Sequence, residues 1–132
     1  MLNFSLVFIF EKEIVPKPRF EVLKMIYTLQ DIKIKILPII VAYGIKAVYV
    51  FGSYARGTAT EESDIDLLID TTGTSLTTMF RLGKLFDELQ AALGKRIDLV
   101  TISALRQKHS MQSDVLFQEN VMRDSVCLND VA

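Results

Sequence analysis

Two runs of β-branched and aromatic residues, Ala47 to Phe51 (AVYVF) and Asp64 to Asp70 (DIDLLID), lie about a dozen residues apart. That spacing constrains the fold more than any other feature of the chain. Each run reads as a strand. A loop of this length suits either an antiparallel pairing or an irregular crossover. The intervening segment, Gly52 to Ser63, is polar and contains glycine, so it is expected as a loop.

The remaining periodicities place other elements around this pair. Thr28-Leu29-Gln30-Asp31 resembles a helix amino-terminal cap. Ile32, Ile36, Ile39, Ile40 and Tyr43 follow at helical spacing, Gly44 supplies a stop, and Pro38 is expected to kink the helix. Ser75 is expected to cap a second helix carrying Leu76, Met79, Phe80, Phe86, Leu89 and Leu93 on one face, closed by Gly94. Arg96 to Thr101 (RIDLVT) reads as a third strand, Ser103 as the start of a short helical turn, and Ser113 to Arg123 as a further helix. The tail from Asp124 is weakly patterned. The order helix, strand, strand, helix, strand, helix implies an α+β fold, a small mixed sheet flanked by helices.

Composition excludes several classes. A chain of 132 residues has room for one domain. With 15 basic and 16 acidic side chains it lacks the positive excess that would coat nucleic acid, and no direct nucleic-acid partner is expected. A single cysteine, Cys127, cannot form an internal disulfide, which fits a reducing, cytoplasmic setting. The mean hydropathy of +0.30 is high, pointing to a generous core or to apolar surface meant for a partner. Leu2 to Phe10 is the most apolar run near the amino end, but nine residues fall short of the about 20 that span a membrane. It has no basic leader before it and runs into Glu11-Lys12-Glu13, so it reads as a strand or an extension, not a signal. Pro16-Lys17-Pro18 reads as a hinge.

Chemistry concentrates between residues 51 and 67. Gly52 and Ser53 leave a hydrophobic strand where the backbone must turn, letting N–H groups and a hydroxyl approach an anion. Arg56 offers a forked cation for phosphate oxygens. Asp64 and Asp66 lie two apart, hence on one face of a strand, with Cα atoms about 6.5 Å apart. Carboxylates so close repel unless a cation sits between them, and hard oxygen ligands suit Mg²⁺. Asp98, between Ile97 and Leu99 on the third strand, points away from its apolar neighbours. Each element alone is common. Together they require three acids in apolar strands beside an anion-friendly turn.

Gly52-Ser53, ten residues, then Asp64-Ile65-Asp66 resembles the signature of the polymerase-β-type nucleotidyltransferase superfamily. The wider segment, Val50 to Gly57 with Ser63 to Leu67, is similar to its minimal nucleotidyltransferase branch, and the resemblance runs from about Met25 to Val126. It implies metal binding by Asp64, Asp66 and Asp98, with Asp98 also helping to deprotonate the acceptor hydroxyl. It places Gly52, Ser53, Arg56 and Ser63 at the nucleotide, and implies ATP as donor with Mg²⁺. Members of that branch commonly begin near the position of Met25. Residues 1–24 therefore stand outside a 25–132 nucleotidyltransferase domain, either as an added segment or as a start codon assigned too far upstream.

Only about thirty residues follow the third strand, too few to wall a small-molecule acceptor. The branch implies an acceptor that is itself a protein: a HEPN-domain toxin, neutralised when the nucleotidyltransferase antitoxin transfers AMP from ATP to one of its tyrosines. Two other readings stay open, a non-catalytic binding antitoxin and a nucleotidyltransferase acting on a small acceptor such as an aminoglycoside. His109, Lys33, Lys35, Lys95 and Arg96 are expected on solvated surface, and Met79, Phe80 and Phe86 in the core.

Overall fold

The computed structural model describes residues 24–107 and 112–131. The Leu2–Phe10 run, the Pro16–Pro18 hinge, nearly all of the 1–24 extension and His109 lie outside the described residues. The first helix, α1 (Leu29–Tyr43), leads into β1 (Ala47–Phe51) and a one-turn helix α2 (Gly52–Arg56). Then come β2 (Ile65–Asp70), α3 (Met79–Leu93), β3 (Ile97–Thr101), α4 (Ile102–Gln107), α5 (Gln112–Asp124) and β4 (Val126–Cys127), with a 3₁₀ turn at Leu128–Asp130. The sheet runs β3-β2-β1-β4. β1 is antiparallel to β2 and to β4, whereas β2 and β3 are parallel, so the sheet is mixed as expected. Of the two readings for the β1–β2 connection, the antiparallel one holds.

α1 starts where the sequence places it. The Thr28 hydroxyl accepts from the Asp31 amide at 3.0 Å while the Asp31 carboxylate accepts from the Thr28 amide at 3.0 Å, a closed capping box. Those hydrogen bonds hold the Asp31 carboxyl below its ordinary range. Removing the hydroxyl in Thr28→Ala is expected to cost about 1 kcal/mol of stability. A urea titration checks this, and an unchanged midpoint would show that the box carries no weight.

α3 starts later than expected. Ser75 does not cap it, because its carbonyl accepts from the Thr77 amide at 2.8 Å and so closes a tight turn. Thr78 caps instead, accepting from the Arg81 amide at 3.2 Å. The buried stripe begins at Leu85 and continues through Phe86, Leu89 and Leu93. Phe80 falls off that stripe and is 83% exposed, and Met79 in the first turn is also exposed. Similarly, α4 is opened by Thr101, whose hydroxyl accepts from the Ala104 amide at 3.1 Å, not by Ser103.

The alternation of each strand divides the core in two. One face of the sheet presents Val48, Val50, Ile65, Leu67, Ile69, Ile97 and Leu99 to Ile32 and Ile36 of α1 and the buried stripe of α3. The opposite face carries a smaller cluster of Phe51, Leu68, Val100, Leu105 and Val121. Asp66 and Asp98 belong by parity to this second face. α1 is tied to α3 by the Tyr43 hydroxyl donating to Glu88, which pushes the Tyr43 pKa up to about 12. The Tyr27 hydroxyl donates to the Leu93 carbonyl at 2.6 Å. Beyond β4, the Asn129 side chain continues the edge of β1: its amide nitrogen donates to the Lys46 carbonyl at 3.0 Å and its oxygen accepts from the Val48 amide at 3.4 Å.

Candidate active site

β1 delivers the chain to the end of the sheet at Phe51, and the next residue adopts a left-handed conformation, with φ of +70° at Gly52. A Cβ built there would stand 2.0 Å from the Asp66 Oδ2 atom, so the Asp66 carboxylate lies directly against the Gly52 backbone. Only glycine permits both the turn and this approach. The segment expected as loop is helical from Gly52 to Arg56. Five residues are too few for an apolar period to appear in sequence, which is why this turn reads as irregular. It buries Tyr54, whose hydroxyl pKa burial raises, and leaves Ser53 half-buried and Arg56 exposed.

The carboxylates meet through strand register. Asp66 is opposite Phe51 on β1 and level with Asp98 on the parallel neighbour β3, strands that run about 4.8 Å apart. Asp64 immediately precedes β2, two residues from Asp66. All three therefore stand at one end and on one face of the sheet, half-buried, beside the Gly52 turn. Among the described residues, no three carboxylate, histidine or cysteine side chains are close enough to hold a metal by themselves. The donor set nevertheless suits one class of ion. Carboxylate oxygens with space left for water and phosphate oxygens are what a hard divalent cation such as Mg²⁺ takes.

Ser63 lies in the approach to Asp64, with its hydroxyl engaged inside its own turn: it accepts from the Thr60 amide at 2.8 Å. A recess of about 160 Å³ opens beside it, lined by Lys24, Glu61, Glu62, Ser63, Asp64 and Arg96.

Of the basic residues expected on solvated surface, Lys35 and Arg96 are exposed, but two are not solvated in that sense. The Lys33 ammonium donates to the Val131 carbonyl at 2.7 Å, and Lys95 is 1% exposed, its ammonium donating to the Glu61 carbonyl at 3.0 Å. The signal for Lys95 was present in parity. It alternates with Ile97 and Leu99, so it falls on the buried face of the strand that follows.

Among the described residues, no helix is long and apolar enough to cross a membrane. Residues 33–121 match the nucleotidyltransferase domain family. A Methanocaldococcus jannaschii protein assigned to the protein adenylyltransferases is 38% identical over 94 residues, covering 70% of this chain and 95% of the relative. The protein adenylyltransferase MntA of Thermococcus cleftensis is 41% identical over 64 residues, or 48% of this chain and 63% of MntA. In three dimensions the chain resembles a toxin–antitoxin crystallised with AMP-PNP, with a TM-score of 0.56, 26% identity, and 73% of this chain and 71% of the other covered.

Proposed function

The chain belongs to the nucleotidyltransferase domain family, and from that premise we propose that it is an antitoxin-type protein adenylyltransferase, transferring AMP from ATP to a tyrosine hydroxyl of a cognate HEPN-domain toxin. The observation that carries this reading is the register of Asp66 with Asp98 on two parallel strands, with the Asp66 carboxylate against the Gly52 turn. The domain runs over residues 25–132 and works in the cytoplasm.

Asp64, Asp66 and Asp98 would hold Mg²⁺. When bound, the ion neutralises triphosphate charge and stabilises the leaving group. The Gly52 turn and the Ser53 hydroxyl seat the phosphates, and Arg56 supplies a forked cation at their outer side. Ser63 shapes the nucleotide side of the cleft from the turn before Asp64. Asp98, on the outer strand of the three, accepts the proton of the incoming hydroxyl. The tyrosine oxygen then forms its bond to the α-phosphorus of ATP, the bond from that phosphorus to the bridging oxygen breaks, and pyrophosphate leaves.

The likeness to a toxin–antitoxin crystallised with AMP-PNP supports a macromolecular acceptor. A toxin brings the acceptor hydroxyl on its own surface, and the working unit is then a hetero-oligomer. Intact mass of the toxin after incubation with this chain, ATP and Mg²⁺ tests the reading. The expected result is a gain of one or more AMP units, lost when Mg²⁺ is chelated. An unmodified toxin that is still silenced would support a purely binding antitoxin, and AMP transfer to an aminoglycoside without the toxin would support a small acceptor.

A further inference from the structure

We propose that Lys95 is a positioning residue for nucleotidyl transfer, holding the turn that delivers Asp64 to the cleft. The inference rests on the nucleotidyltransferase reading above and adds a residue that its motif does not contain.

The connection from α3 to β3 is short. The helix closes at Gly94, Lys95 turns into the core, and Arg96 turns outward to the recess. These two residues grip the segment before β2 at two points. The Lys95 ammonium donates to the Glu61 carbonyl at 3.0 Å, and the Arg96 carbonyl accepts from the Ile65 amide at 3.0 Å. Asp64 lies between those anchors. Around the first anchor the turn closes on itself. The Ser63 amide donates to the Thr60 carbonyl at 3.1 Å, the Thr60 amide to the Ser63 hydroxyl at 2.8 Å, and the Glu62 amide to the Thr60 hydroxyl at 3.3 Å.

A lysine in this position is a poor choice for stability alone. Withdrawing an ammonium from water is costly, and one carbonyl hydrogen bond returns only part of that cost. Methionine has similar length and would fill the same space without it. What methionine cannot do is reach the Glu61 carbonyl with a donor. The hydrogen bond spans 34 residues of sequence and ends three residues before a metal-holding carboxylate, where small displacements are felt strongly.

The test compares the parent chain with Lys95→Met and Lys95→Arg by thermal melting, amide hydrogen exchange and AMP transfer to the toxin. Lys95→Met is expected to melt within about 3 °C of the parent. Its Glu62 and Ser63 amides should exchange at least about tenfold faster, and its kcat/KM should fall by at least about tenfold. Lys95→Arg keeps a donor and should restore protection of those amides together with a substantial part of the transfer rate. Parent-like exchange in Lys95→Met, or parent-like turnover despite exposed amides, overturns the proposal. Should Lys95→Met fail to fold, Lys95→Gln is judged by the same two readouts. If the parent itself transfers no AMP, the functional reading falls, and the exchange comparison alone decides whether Lys95 holds the turn.

Discussion

Asp66→Asn is expected to lower AMP transfer by roughly a thousandfold while leaving the protein folded. Asn keeps the shape of Asp but loses its charge and offers an amide donor where a cation would sit. The position tolerates no compensation by movement. Asp66 is fixed in β2 between Phe51 and Asp98, with its carboxylate against the Gly52 backbone. Asp64→Asn should behave alike, because the two acids stand on one face. A second signature separates an active-site effect from damage to the fold. Asn keeps the volume and shape of the Asp it replaces, so the variant should melt within a few degrees of the parent in the absence of metal. Initial rates of AMP transfer and thermal melting in chelator check both parts. Transfer within about tenfold of the parent would remove Asp66 from the catalytic machinery.

Gly52→Ala carries the second large effect, and it should strike stability and activity together. At φ of +70° a residue with a Cβ costs about 1–2 kcal/mol in backbone strain. Here the added atom also collides with Asp66 Oδ2 at 2.0 Å, so either the turn or the carboxylate must shift. The expected outcome is transfer reduced by at least about a hundredfold, since a displacement near 1 Å is enough for such a loss. Gly57→Ala is the matched control. Its φ is +74° but nothing lies within 4 Å of the added atom, so it pays the backbone strain and keeps the site. Equal losses of transfer in the two variants would show that strain, not the contact with Asp66, is responsible.

Much of this arrangement was legible in the residues because it depends on local rules. The β-branched runs at 47–51 and 65–70 have no competing helical period, and Thr28 with Asp31 marks a helix start by itself. The shared face of Asp64 and Asp66 follows from alternation once the strand is granted, whereas the level position of Asp98 depends on the register of β3 beside β2. What stayed hidden depends on contacts distant in sequence or on elements too short for a period. β4 is two residues long and exists because Tyr49 and Val50 pair with it. The α2 turn has five residues, too few to show a helical period. Phe80 shows the opposite failure. Helical spacing alone put it in the core, but the helix begins at Met79, and only residues from Leu85 onward meet the sheet squarely.

The amide of Asn129 has a consequence beyond closing the molecule. Among the described residues β4 pairs with Tyr49 and Val50 alone, and without Asn129 the start of β1 would present main-chain donors and acceptors along that edge. Asn129 answers both the Lys46 carbonyl and the Val48 amide with one side chain. An apolar strand is thereby denied the template on which copies of the chain could stack edge to edge. Val126, Cys127 and Asn129 thus close that stretch of the β1 edge against main-chain pairing.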